Sequence, residues 1–358
     1  MAIKIGLFDI LQVDPLDHAD HAEIYRRRLD DLAYADELGF DIAFVAERHY
    51  MRHYRAPSPV AWLGAATQRT SNMRLGVLAF TLPLHSPARL AEDVAVLDQL
   101  SNGRIEIGVG LGHRKEELIA HGIDPVNRIS IFQERLAIVE ALWSGAQVTL
   151  ESDYTTIKEV EISPLPVQLP IPPLWFAGTE QGAAMWAGNH GMSLAVGFAP
   201  LQALLPAVAG FEAGRTARLN DNPDLAEHPG AGRIALMQHV YVSESDEQAF
   251  AEMRSDLDRL TALNPGNLEL NPEERARLVE TELEVILRSE RMLAGGPETV
   301  ARGIRFAQEM LGIDLFLANV YVAGADDIRV RRSMRLLSED VRHILKRPTG
   351  EVGTDSNA

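Results

Sequence analysis

The stretch Ala46-Glu47-Arg48-His49-Tyr50 closes a short apolar run, residues 41–46, that reads as a strand. A carboxylate, a guanidinium and an imidazole in consecutive positions offer a proton acceptor, a fixed cation and a group that titrates near neutral pH. That set suits general acid or base work, or donation to the ring of a cofactor, with His49 carrying the proton and Glu47 or Arg48 orienting it. The plainer alternative is that Glu47 pairs with Arg48 while His49 caps a loop. His49 and His53 are four residues apart, a spacing that zinc sites use on helices. However, Tyr50 stands where the metalloprotease pattern has glutamate, and the proline-flanked residues 54–59 argue against a helix, so no metal is expected.

Two loops could hold an anion. Gly108, Gly110 and Gly112 follow a strand-like run at residues 104–109, but His113 occupies the sixth place of the dinucleotide fingerprint, which the spacing therefore fails. Glycines still let backbone amides approach a phosphate closely, and His113 and Arg114 can add charge, so Gly110, His113 and Arg114 are cofactor candidates. The second loop is Trp175-Phe176-Ala177-Gly178-Thr179-Glu180-Gln181-Gly182, which runs from a strand into a helix start. Free amides and the helix dipole favour negative charge there. The plain alternative is that Thr179 is an ordinary cap.

Residues 72–115 contain the elements that must position these groups. Residues 73–81 are apolar and β-permissive, and Leu82-Pro83 ends them because proline supplies no ladder donor. Ser86 is placed to cap a helix with Pro87 at its first position, Leu90, Val94 and Leu97 recur at helical spacing, and Gly103 stops it. This is one βαβ unit, whose right-handed crossover brings both strands to the same edge of a sheet. Strand-like runs at 3–8, 41–46, 73–81, 104–109, 174–177, 191–196, 234–242 and 314–322 alternate with helical patterns, including 59–70 with Ser58 as its cap. The predicted fold is an α/β (β/α)8 TIM barrel over residues 1–346, with its chemistry at the carboxyl ends of the strands. Residues 146–173, with five prolines in SPLPVQLPIPP, form an excursion, and 261–290 a helix-prone insertion; both are expected to shape the cavity. Residues 221–232 read as a loop and 347–358 as a disordered tail.

The 358 residues are 46% hydrophobic and 24% charged, which is ample for a core without staples. With no cysteine, disulfides, thiolate metal sites and cysteine nucleophiles are excluded. A formal charge of −17 repels phosphate backbones and anionic membranes, so nucleic acid and membrane partners are not expected. The amino terminus enters a strand pattern directly and no apolar run reaches spanning length, from which a cytoplasmic protein is expected.

The stretch LAFTLPLHSPARLAEDVAVLDQLSNGRIEIGVGLGHRK resembles the matching region of the bacterial luciferase-like, flavin-dependent monooxygenases, in which a strand ends in a leucine-proline step before such a helix. The likeness extends more weakly from residue 3 to about residue 345. It implies a luciferase-like barrel binding reduced FMN noncovalently, with O2 adding at flavin C4a and the resulting peroxyflavin oxygenating an aldehyde, a ketone or a similar substrate. It also implies a separate NAD(P)H:flavin reductase and a homodimer, for which residues Trp62, Leu63, Ala65 and Ala66 offer a face, the alternative being that the same residues cover the barrel. Family members carry glutamate and two histidines at this site. Glu47 and His49 match, and Arg48 replaces the first histidine. The phosphate role falls on Gly178, Thr179, Glu180 and Gln181, with Ala177 beside them in the cofactor site, while Leu111 stands where the family has an arginine. Leu78 and Ala79 lie where a cis peptide underlies the flavin ring, and Phe8 and Trp175 are candidates for the substrate cavity wall. Relatives of this fold also include deazaflavin-dependent hydride-transfer enzymes and non-catalytic flavin-binding proteins. A metal-dependent barrel hydrolase is a third competitor.

Overall fold

The computed structural model describes residues 3–14, 20–221, 231–264, 267 and 270–347. The expected disordered tail from 348 onward and most of the 221–232 loop lie outside the described residues. Strands β1 (Lys4–Asp9), β2 (Ile42–Val45), β3 (Arg74–Thr81), β4 (Ile105–Gly110), β5 (Val148–Glu151), β6 (Thr156–Val160), β7 (Leu174–Ala177), β8 (Ser193–Gly197), β9 (Ile234–Val242), β10 (Met292–Gly295) and β11 (Leu315–Asn319) appear in chain order. β1, β2, β3, β4, β7, β8, β9 and β11 form a closed parallel ring, with the β8–β9 pairing as its seam. Helices lie between the strands, as in the expected (β/α)8 barrel.

The interior fits because glycines alternate with large side chains. A Cβ on Gly76 would come within 2.5 Å of Phe44 Cε1, and one on Gly108 within 2.7 Å of Leu78 Cδ1. Phe44 therefore lies across the barrel and meets Trp175 edge to face at 5.8 Å.

The strand β10 was not expected, and the path of β9 explains it. Residues 234–237 of β9 pair with β8, but residues 239–242 diverge from it and would present an open edge. Met292–Gly295 pairs with that edge. Ser58 and Ser86 stand at the N-cap positions of helices Pro59–Thr67 and Pro87–Ser101, but neither side chain makes a capping hydrogen bond, and proline occupies the first turn of both. Asn102, in a left-handed conformation (φ 56°), takes the C-cap of the second helix.

The excursion forms an antiparallel β5–β6 hairpin followed by the proline run, and it packs away from the expected cavity. The Asp98 carboxylate accepts the Val167 and Gln168 N–H groups at 2.7 and 2.9 Å, and Arg74 donates to Gln168 Oε1 at 2.8 Å. Arg74 begins β3, so this segment closes the amino end of the barrel, because a connection entering β7 must arrive there. In the second insertion, Asn271 and Glu274 form a capping box for helix Pro272–Arg288. Its Leu283 packs with Tyr241, Met253 and Met292 in a satellite cluster rather than on the barrel mouth. Of the face offered for a dimer, Trp62, Leu63 and Ala66 are buried against the barrel, and Ala65 alone is exposed.

Candidate active site at the carboxyl end

Glu47 follows β2 and is 2% exposed. Its Oε2 accepts the Thr81 N–H at 2.5 Å, and its Oε1 lies 3.0 Å from His49 Nε2 and 2.8 Å from His85 Nε2. Burial alone would raise the carboxyl pKa; the hydrogen bonds from His49 and His85 outweigh it and bring the pKa down to about 2. An ionised carboxylate only accepts, so both imidazoles donate from Nε2 and keep Nδ1 for other work. The hydrogen bond to Glu47 raises the His49 pKa above 6.5, against the opposing pull of burial.

The Glu47–Arg48 pair considered as an alternative does not form. Arg48 donates instead to the Glu47 main-chain carbonyl at 2.9 Å and braces the loop. Arg114 bridges the His49 carbonyl at 3.2 Å and Glu117 at 3.0 Å, so it is tied to the β2 loop. His113 is exposed, and partial desolvation with the neighbouring Arg48 and Arg114 lowers its pKa. Outside this group, Tyr50 donates to or accepts from His121 at 3.1 Å, and the His121 ring lies 5.3 Å from that of His49.

His85, Glu117 and His121 escaped the reading of the sequence. His85 lies in the LPLHSP segment after β3, and its position at a strand's carboxyl end was the available signal. Nothing local shows that it meets a carboxylate 38 residues earlier. Arg135 fixes the segment by donating to the His85 carbonyl at 2.9 Å.

The Leu78–Ala79 peptide is cis, as the resemblance implied, and the β3–β4 register shifts between Val77 and Phe80. Gly110 ends β4 beside Ala79, and Ala177 ends β7. Beyond it, Gly178 donates its N–H to the Ala195 carbonyl at 3.2 Å. Glu180, not Thr179, is the N-cap of helix Gln181–Asn189, and its side chain leaves the first-turn amides uncapped. Space is open above Gly182. Phe8 is buried and faces Phe198 at 5.7 Å. Trp175 is not brought to this end. Its indole donates to Glu106 at 2.6 Å, near the amino ends of the strands.

A family model described as "Luciferase-like monooxygenase" matches residues 3–314. The chain belongs to this family. Among luciferase-like relatives, the oxygenase component of flavin-dependent trigonelline monooxygenase from Acinetobacter baylyi is 26% identical over 235 residues, 65% of this chain and 63% of that protein. An F420-dependent glucose-6-phosphate dehydrogenase from Beutenbergia cavernae is 36% identical over 174 residues, 45% of this chain and 50% of that one. The chain thus spans between half and two thirds of these curated relatives. The oxygenating constituent of 3,6-diketocamphane monooxygenase from Pseudomonas putida, solved with FMN, shares the fold with a TM-score of 0.78 at 20% identity, covering 97% of this chain and all of that one. Luciferase-like enzymes thus include both flavin-dependent monooxygenases and deazaflavin-dependent dehydrogenases. No helix among the described residues of this luciferase-like chain is long and apolar enough to cross a membrane.

Proposed function

We propose that the protein is a flavin-dependent monooxygenase that binds reduced FMN at the carboxyl end of the barrel and uses O2 to oxygenate a small organic substrate. A separate NAD(P)H:flavin reductase would supply the reduced flavin. The observation that carries this reading is Glu47, buried and ionised, holding two imidazoles at the carboxyl end of the barrel, where it also accepts the Thr81 N–H at the end of β3. The residues present fit the cofactor. Uncapped amides at Gln181 and Gly182 with open space above them suit the phosphate, and the apolar mouth around Phe8 and Leu78 suits a flat ring.

Reduced FMN, when bound, supplies two electrons and the position at which oxygen is activated. The chain's own residues then manage protons and water. His49 and His85, held by Glu47, give and take a proton through Nδ1, and the hydrogen bond to Glu47 favours the protonated form of His49. Arg48 and Arg114 fix the loop on which His49 rides. Tyr50 and His121 lie between His49 and the surface and suit reprotonation. Phe8 and Leu78 exclude water.

Hydride transfer with a deazaflavin is the second reading, favoured by the dehydrogenase relative. Anaerobic titration with reduced FMN and, separately, with a reduced deazaflavin discriminates between the two. Binding of reduced FMN, followed by its reoxidation on mixing with air, is the expected result. Binding of the deazaflavin with no affinity for FMN would overturn the monooxygenase reading.

A further inference from the structure

Across the barrel mouth from Glu47, the divergence of β9 from β8 leaves a gap in the wall after the Gly197–Met237 pair. Phe198 fills it. In a left-handed conformation (φ 55°), it donates its N–H to the Met237 carbonyl at 3.1 Å and sets its ring between Phe8 at 5.7 Å and His239 at 4.9 Å. His239 lies two residues after Met237, which belongs to the interior cluster, so strand alternation aims its imidazole the same way.

The ring has aromatic contact on one side and no hydrogen bond to either nitrogen from any described residue. His239 is only half-buried and its unpartnered ring nitrogens are not sealed from solvent, so at the barrel mouth they stay open to hydrogen-bond a ligand atom in place of water. Burial lowers the His239 pKa, which keeps the ring neutral, with one donor and one acceptor nitrogen.

We propose that His239 is the substrate-positioning residue of this site, and that with Phe8 and Phe198 it selects an uncharged, largely apolar molecule bearing one carbonyl or hydroxyl oxygen. The aromatic faces take the hydrocarbon body, and the imidazole takes the oxygen by donating to a carbonyl or pairing with a hydroxyl. An anionic substrate would have to leave water for a wall that offers it only a neutral ring, which disfavours carboxylates and sulfonates. The substrate class rests on the monooxygenase reading, whereas the pocket itself does not.

The test therefore begins without cofactor. With histidine ring nitrogens labelled by 15N, the protein is titrated with cyclohexanone, cyclohexanol and cyclohexanecarboxylate. The His239 resonances, assigned by their loss in His239→Ala, should move with the first two and stay still with the third. Ketone affinity should fall roughly tenfold in His239→Ala and recover in His239→Gln, which keeps a donor and an acceptor. Reduced-FMN affinity should be unchanged in both variants. Unchanged ketone affinity in His239→Ala, or preferential binding of the carboxylate, overturns the proposal. A failure of reduced FMN to bind the unsubstituted protein would overturn the monooxygenase reading alone, because the ketone titration stands without it.

Discussion

Two buried glutamates sit at opposite ends of the barrel, and their partners set them apart. Glu106, the second residue of β4, is 1% exposed and is held by Arg74 Nε at 2.5 Å, Arg233 Nη2 at 2.7 Å and the Trp175 indole at 2.6 Å. Arg233 also stacks over the Trp175 ring at 4.5 Å. Glu47 is equally buried but held by two imidazoles. Guanidinium groups never release their protons, so the Glu106 cluster is fixed in charge and locks the strands. Imidazoles do release theirs, and each keeps a second nitrogen, so the Glu47 cluster can pass a proton. For both carboxyl groups burial pushes the pKa up and their partners bring it below the ordinary value. The same residue type, equally desolvated, becomes structural or reactive according to whether its partners titrate.

The largest effect is expected from breaking the fixed cluster. Glu106→Ala removes the buried carboxylate that neutralises Arg74 and Arg233 and leaves a cavity beside Trp175, and it should cost about 3 kcal/mol in denaturant unfolding. The folded fraction should still bind reduced FMN normally. At the other end, His85→Ala should lower turnover about 10²–10⁴-fold, the usual worth of a positioned acid or base, with flavin affinity retained. Rapid-mixing kinetics with a substrate and a thermal melt separate the two effects: a large fall in melting temperature with normal turnover would move His85 to the structural side of the comparison.

Acid titration sharpens the contrast. The Glu47 carboxyl titrates at about 2 when folded, against 4.5 as its ordinary value, so its contribution to stability is complete above 4.5 and is lost as pH falls towards 2. The His49 contribution has the opposite sign. It is complete below 6.5 and is lost as pH rises through the raised folded value. Glu47→Gln should therefore flatten the acid limb of the stability curve, measured by urea unfolding between pH 3 and pH 6 (roughly the span around these values). The smallest effect is expected at the helix end. Gly182→Asp places a carboxylate in open space beside the uncapped amides and should weaken FMN roughly severalfold while leaving riboflavin, which has no phosphate, unaffected. Equal weakening of both would place the phosphate elsewhere.

The eight ring strands were legible because each is an apolar β-permissive run bounded by glycine, proline or a charged turn, and alternation with helices permits few topologies. β10 was not, since Met292–Gly295 is four residues leading into a Gly-Pro helix start, and the need for it arises only from the course of β9. The place of the proline run was equally hidden: Asp98, which fastens it, looks in sequence like one more polar residue of an amphipathic helix. In the site, Glu47 and His49 were readable as neighbours at a strand end. His85 was not, because its partner is fixed by strand order rather than by spacing. Trp175 was placed at the right strand, but its deep partner Glu106 drew the side chain away from the mouth. His239 gave no signal at all, since one histidine in an apolar strand is normally core, and only the missing hydrogen-bond partner distinguishes it.

The most direct test of the central claim, that Glu47 tunes a proton-bearing imidazole for flavin and oxygen chemistry, is the pH dependence of reoxidation. The complex with reduced FMN is mixed with oxygen between about pH 5.5 and pH 9, around the ordinary imidazole value, in the original protein and in Glu47→Gln. The account predicts that the original rate changes at a pH above 6.5, and that Glu47→Gln moves the change down towards 6.5, because the carboxylate that holds the His49 proton is gone. An identical profile in both proteins would contradict it.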